Sequence, residues 1–165
     1  MTTTTEKTAA IRTQLKAHGW SSRKVSVRAE RCTYSSSIEV RIKDPEVNID
    51  IVRDVVDQYE SVRRCEVTHE ILSGGNTFTH VSYTREAREA LAGPHVEALR
   101  AAMAKVDELS DSTLVEVDGT EGKVSVGKDG VGGYRLWTDR AGMHVNTPEC
   151  GAFFVAGYVR GWKVQ

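Results

Sequence analysis

An α+β fold is predicted by three features of the sequence. Residues 23–43 alternate apolar and charged side chains in two runs, residues 47–62 repeat apolar ones at intervals of three and four, and residues beyond 110 alternate in short stretches separated by Gly-containing turns. A period of two, then of 3.6, then of two again reads as strands, helix and strands. The expected architecture is a four-stranded antiparallel sheet built from two β-hairpins with helices on one face, in a domain of residues 1–109. A small β-rich C-terminal segment, residues 110–165, follows either as a separate piece or packed on the first as one unit.

The chain opens with Thr3-Thr4-Thr5-Glu6, a capping box, and Ile11 and Leu15, with the small Ala10, mark one face of a helix that stops at Gly19. Trp20 is then expected in the core. Val25 and Val27 share one face of a strand, with Ser26 and Arg28 on the other; Ile38, Val40 and Ile42 alternate with Glu39, Arg41 and Lys43 on a second. The loop between them, Cys32-Thr33-Tyr34-Ser35-Ser36, is rich in hydroxyls and has no Gly-rich phosphate cradle. Asp44-Pro45 closes the ribbon, because Pro cannot donate to a ladder, and Pro45 can open a helix with Val47, Ile51, Val55, Tyr59 and Val62 as its apolar stripe, widened by Val52 and Val56.

Residues 65–72 and 77–84 flank Ser73-Gly74-Gly75-Asn76, a sequence suited to a tight hairpin turn. Pairing Leu72 with Thr77 would set His69 opposite His80 on this second ribbon. A helix from Glu86 is expected to break at Gly93-Pro94 and restart with Val96, Leu99, Met103 and Val106. The alternations that follow are punctuated by Asp118-Gly119, Glu121-Gly122, Asp129-Gly130 and Ala141-Gly142, as in a meandering sheet. Residues 151–164 are apolar enough for either a buried strand or a docking helix.

At 165 residues the chain suffices for one core, or one with an annex. No apolar run is long enough for a transmembrane helix, and the polar start is unlike a signal peptide, so no membrane partner and a cytoplasmic location are expected. Cys32, Cys65 and Cys150 are odd in number and widely spaced, which predicts free thiols rather than disulfides or a zinc knuckle. The net charge of −1 conceals an asymmetry: residues 12–43 hold eight basic side chains against two acidic ones, whereas residues 65–165 hold ten against fourteen.

The candidate working surface is therefore the cationic ribbon. Arg28, Arg31, Arg41 and Lys43, with Lys24 at the edge and Tyr34 in the loop, would follow a phosphate backbone and stack a base, making nucleic acid or another polyanion the expected ligand. The plain alternative is a solvated face with Glu30 and Glu39 as cross-strand partners, further neutralised if Glu66 and Glu70 fall beside Arg28 and Arg41. His69 and His80 are the remaining metal-ligand candidates, but no third ligand is near in sequence, so a hydrogen-bonded pair is the simpler reading. No nucleophile sits in a catalytic context, and Glu66 and Glu70, about 13 Å apart along an extended strand, are too distant to share a proton. Asp118-Gly119 and Asp129-Gly130 lack the alternating oxygens of a calcium loop. No catalytic residue and no cofactor is predicted.

The succession of a helix, Lys-Val-Ser-Val-Arg at 24–28, Tyr-Ser-Ser-Ser-Ile-Glu-Val-Arg at 34–41, the Asp44-Pro45 break, a helix and a hairpin with Gly74-Gly75-Asn76 resembles the large polyvalent protein-associated domains, class twenty-nine. The resemblance covers residues 10–83, about 8–85 at its widest. It departs after the second strand, where the family commonly carries an aromatic-rich strand with Asp-Gly-Pro and this chain has Ile42-Lys43-Asp44-Pro45-Glu46. It implies a setting in bacteriophages or conjugative elements, assisting mobile DNA or countering host defences, and brings no catalytic residues. The expected function is a non-enzymatic binding module of such an element, engaging nucleic acid or a nucleoprotein. The alternatives are an interaction or inhibitor protein acting on a host factor through its acidic second half, and an enzyme whose site gathers around His69, His80 and Glu70. The oligomeric state is left open.

Overall fold

A computed structural model describes residues 3–31, 33–109, 113–130, 132–139 and 142–162. The fold is α+β, with four helices, a three-stranded sheet and a four-stranded antiparallel sheet among the described residues. Two compact units divide the chain, Met1–Ala87 and Arg88–Gln165. The long helix that the sequence reading keeps within residues 1–109 crosses that division.

The first unit begins with α1, Thr4–Ala17. Thr3 Oγ1 accepts from the Glu6 N–H at 3.2 Å while Glu6 Oε2 accepts from the Thr3 N–H at 2.7 Å, the reciprocal pairing expected of the threonine-rich start. At the other end Gly19, at φ 82°, donates to Lys16 O and Trp20 donates to Leu15 O, so two otherwise orphaned carbonyls are satisfied by a left-handed glycine turn. Strands β1, Val25–Arg31, and β2, Ser35–Ile42, form the antiparallel ribbon, with Val25 opposite Ile42, Val27 opposite Val40 and Arg28 opposite Glu39. Cys32 lies outside the described residues; Cys65 and Cys150 are free thiols.

Helix α2, Ile49–Asp57, starts later than Pro45 predicts. Asp44 Oδ1 accepts from the Glu46 N–H, turning the chain, and Asn48 is the residue whose side chain caps the helix, accepting from the Asp50 N–H at 2.8 Å. The buried stripe is consequently Ile49, Val52, Val55 and Val56, and Ile51, expected inside, is 38% exposed.

The second predicted ribbon does not form. Strand β3, Asn76–Tyr83, pairs in parallel with β2, from Ser35 against Asn76 to Ile42 against Tyr83, giving the order β1-β2-β3. Parallel strands need a long crossover, and residues 43–75, containing α2, supply it. Residues 65–72 are not a strand. Cys65 donates to Glu70 O and accepts from the His69 N–H, with His69 at φ 58°, so this segment folds back on itself, with Ile71 in an isolated bridge to Arg64 and the Leu72 N–H donating to Arg63 O. A physical reason is visible in the pattern: residues 66–72 are all exposed, so a strand there would have no apolar face to bury. β3 carries Thr79, Val81 and Tyr83 in line with Ile38, Val40 and Ile42 and takes the place beside β2. As a result Ile38, Val40 and Ile42 have no exposed surface, lying in a core with Ile11, Val52 and Val56.

Helix α3, Arg85–Glu108, begins at the end of the first unit and runs unbroken through Pro94 in the second. Pro94 forfeits the bond to the Ala90 carbonyl, a cost of about 3 kcal/mol in an unsupported helix. Buried Leu91 and Ala92 before it and Leu99, Ala102, Met103 and Val106 after it hold both halves in one helix. Strands β4, Val115–Glu116, β5, Ser125–Asp129, β6, Gly133–Trp137, and β7, Gly142–Val145, make the meander. The closing apolar run is a helix, α4, Pro148–Val159, begun by Thr147, whose hydroxyl accepts from the Cys150 N–H, and by Pro148 in the first turn. A Cβ on Gly151 would lie 2.5 Å from Leu99 Cδ2, so glycine there lets α4 approach α3 and bury Val155 beside Val106, Val126 and Leu136.

Ile38→Ala should therefore lower stability by about 2–5 kcal/mol, read from urea unfolding. Val67→Ala, at a side chain 86% exposed, should change it by less than about 0.5 kcal/mol.

Candidate polyanion-binding site

Register decides which face each ribbon cation occupies. The sheet face away from the core carries Ser26, Arg28 and Glu30 on β1, Ser37, Glu39 and Arg41 on β2, and Phe78, His80 and Ser82 on β3. Arg28, Glu39 and His80 lie in one cross-strand row. Arg41 donates through Nε and a terminal nitrogen to Glu39 Oε1, at 2.9 and 2.6 Å. That hydrogen bond holds the Glu39 carboxyl below its ordinary range, with help from the His80 and Arg28 charges, and raises Arg41. Lys24 is paired with Asp44 at 2.9 Å, and its hydrogen bond, with that from the Glu46 N–H, keeps the Asp44 carboxyl low. Two of the six expected contact residues thus already have counter-ions. The tempering carboxylate is Glu39; Glu66 and Glu70 lie in the folded-back segment, off the sheet.

Arg31 falls on the opposite side of β1, across from Ser36, and Tyr34, 73% exposed, sits beside it. Both line a separate cavity with Lys7. His69 and His80 are not cross-strand neighbours, because His80 is across from Glu39 and His69 is in the turn. Among the described residues no three His, Cys, Asp or Glu side chains are grouped to hold a metal.

The free edge of β1 assembles what the flat face does not. A groove of about 750 Å³ is lined by Arg12 and Lys16 of α1, by Arg28 and Lys43 of the ribbon, and by Trp20. Arg12 and Lys16, one helical turn apart, project from the same face of α1. The Arg12 guanidinium donates to Val27 O at 2.7 Å, and Lys43 Nζ donates to Ser22 O at 3.3 Å; both acceptors are neutral. Among the described residues none of these four cations is in an ion pair, and no carboxylate lines the groove. Trp20, expected in the core, is half-buried at the groove with the His18 ring stacked on it, centroids 5.3 Å apart. Arg12 and Lys16 belong to the local charge excess and stand outside the expected contact set. Their i, i+4 spacing was the available signal; Trp20 gave none, since an isolated tryptophan after a helix reads as core.

Two further groups carry unusual chemistry. Cys65 is brought down to about 7 by the Thr68 hydroxyl and by backbone N–H groups of Thr68 and Val67 directed at its sulfur. In the second unit His144 Nδ1 lies 2.7 Å from Asp129 Oδ2 and Nε2 lies 2.7 Å from Asn146 Oδ1. Oxygens on both sides favour the imidazolium, and the Asp129 and Asn146 hydrogen bonds raise the His144 pKa. With both nitrogens engaged, this ring joins β7 to β5 through Asp129. Among the described residues no helix is long and apolar enough to cross a membrane.

Alkylation of Cys65 by iodoacetamide, followed by peptide mass spectrometry, should rise with a midpoint near pH 7, and Thr68→Val should move that midpoint up. A raised folded-state pKa at His144 means that its stabilisation is complete below the unfolded value of about 6.5 and is lost as pH climbs through the folded value. The stability difference between the protein and His144→Gln should accordingly shrink from pH 6 to pH 9 in paired urea titrations.

Comparison of the chain with protein-family models, with curated proteins and with solved structures returns no match in any of the three.

Proposed function

We propose that this chain is a non-enzymatic module that binds single-stranded nucleic acid along the free edge of β1. The observation that carries this reading is the convergence of Arg12, Lys16, Arg28 and Lys43 on one groove that has an aromatic ring and no lining carboxylate. Arg12, Lys16 and Lys43, in no ion pair among the described residues, and Arg28, which faces Glu39 across the ribbon without a salt bridge to it, confer affinity for a phosphate backbone through counter-ion release, and Trp20 offers a surface on which a base can stack. A single strand suits this site better than a duplex, because the flat sheet face that a duplex would cover is neutralised where Arg41 is clamped to Glu39. The resemblance to polyvalent-protein-associated domains is in keeping with a module that accompanies mobile DNA in the cytoplasm. A second reading, contact with a host protein, is favoured by Val67, Ile71 and Leu72, apolar side chains exposed on the segment folded back after α2.

Fluorescence anisotropy with a labelled oligothymidylate should give a log–log salt slope of about −3, as expected for four phosphate contacts on a single strand. Lys16→Glu with Arg28→Glu should abolish binding or flatten that slope by at least one unit. Lys24→Gln and Arg41→Gln, which remove cations that already have partners, should change it little. Absence of binding at low salt overturns the nucleic-acid reading. A protein partner whose capture survives the groove changes and is lost on Val67→Asp with Leu72→Asp would favour the second reading.

A further inference from the structure

The cavity at the start of β2 and β3 differs in chemistry from the β1 groove. It has a volume of about 590 Å³ and is walled by hydroxyls, with Lys7 inside and Arg31 and Tyr34 among its lining residues. Lys7 Nζ donates to Tyr59 O at 3.2 Å and to Thr77 Oγ1 at 3.0 Å. Both acceptors are neutral, so the ammonium of Lys7, a half-buried residue, is held with no ion pair among the described residues and with one of its three N–H groups unassigned.

The hydroxyls around Lys7 form a chain that ends in a surplus of donors. Thr4 Oγ1 donates to Ser36 Oγ at 3.0 Å, and Ser36 Oγ lies 3.4 Å from both Asn76 O and Thr77 Oγ1. Thr77 Oγ1 accepts from Lys7, which leaves its own proton to donate. Ser36 and Thr77 are buried, so this wall is part of the packed unit. At the mouth Arg31 is exposed and makes no ion pair among the described residues. No carboxylate lines the cavity. At the start of α1 the Thr3 N–H is taken by Glu6 Oε2 and the Glu6 N–H by Thr3 Oγ1.

From this arrangement we infer a binding site for a phosphate monoester, its oxygens against Lys7, Thr77 and Arg31, with a nucleotide base on the exposed ring of Tyr34. A monoester carries a charge near −2 at neutral pH, which matches two cations where a carboxylate would match one. Its three terminal oxygens accept from an ammonium, a hydroxyl and a guanidinium fork at once. The aromatic ring at the mouth adds a stacking surface that inorganic phosphate cannot use. This site is independent of the β1 groove and shares none of its cations.

Isothermal titration calorimetry at low salt tests the assignment with adenosine monophosphate, inorganic phosphate and adenosine. The monophosphate should bind, phosphate should compete more weakly, and adenosine should give no heat. Arg31→Gln, at the exposed rim where the fold is not at risk, should weaken the monophosphate about tenfold, in the range of one lost charged hydrogen bond. Lys7→Met should abolish binding, and Tyr34→Ala should reduce the monophosphate to the affinity of phosphate. Lys16→Glu with Arg28→Glu should leave all of these unchanged, which separates failure of this site from failure of the groove. A short oligothymidylate with a 5′-phosphate that binds more tightly than the monophosphate, in the groove variant as well, would identify a strand end as the natural source; equal binding would identify a free nucleotide. Equal heats for adenosine and its monophosphate, no binding of either phosphate compound at millimolar concentration, or binding indifferent to both Arg31→Gln and Lys7→Met would overturn the proposal.

Discussion

Burial of one strand, β2, is the constraint on which the first unit depends. Ile38, Val40 and Ile42 have no solvent exposure because β2 is central, antiparallel to β1 on one side and parallel to β3 on the other, with Ile11 and Leu15 of α1 and Val52 and Val56 of α2 completing the core. Strand alternation then leaves no freedom for the residues between them: once Ile38 and Val40 point inward, Glu39 and Arg41 must point outward. The same centrality makes β1 an edge strand, and its free edge is where the groove forms. A single packing decision thus fixes the core, the open face and the edge together.

Electrostatics sorts most of the N-terminal cations into three populations, with exposed Arg23 outside them. Lys24 and Arg41 are neutralised by Asp44 and Glu39. Exposed pairs of this kind contribute little to stability, but they remove two cations from any binding surface. Arg12, Lys16, Arg28 and Lys43 gather along the β1 edge, while Lys7 and Arg31 serve the hydroxyl-walled cavity. Adjacent cations on one strand, such as Arg28 and Arg31, therefore serve different surfaces, because an odd spacing in a strand places side chains on opposite faces.

The second unit is organised by shape more than by charge. Glycine at position 151 admits Leu99 into the first turn of α4, and a core of Val117, Val124, Val126 and Leu136 forms beneath α3 and α4. Its most distinctive polar contact, His144 between Asp129 and Asn146, joins two strands of the meander that are not neighbours in the sheet. Among its acidic residues, Asp118 and Glu121 lie in exposed turns and Asp107, Glu108 and Glu149 at exposed helix ends, where they favour solvation.

Local patterns in the sequence were sufficient for the capping box at Thr3, the alternation of β1 and β2 and the Gly-punctuated meander, because each is set by contacts within a few residues. The start of α2 was legible in Asn48 but masked by Pro45, an equally plausible opening residue. Where two elements competed for one place, local pattern was silent. Residues 65–72 and 77–84 both alternate, and only the vacancy beside β2 selects 76–83 as a strand, in parallel, leaving the other segment folded back. The continuity of α3 through Pro94 and the helical state of residues 148–159 likewise depend on burial against distant side chains, whose free energy outweighs the local preference. By itself, the sequence determined the α+β class, the ribbon and the sign of its charge. The tertiary structure alone decided which cations remain without counter-ions and on which surface, because counter-ions and cavities arise from residues far apart in the chain.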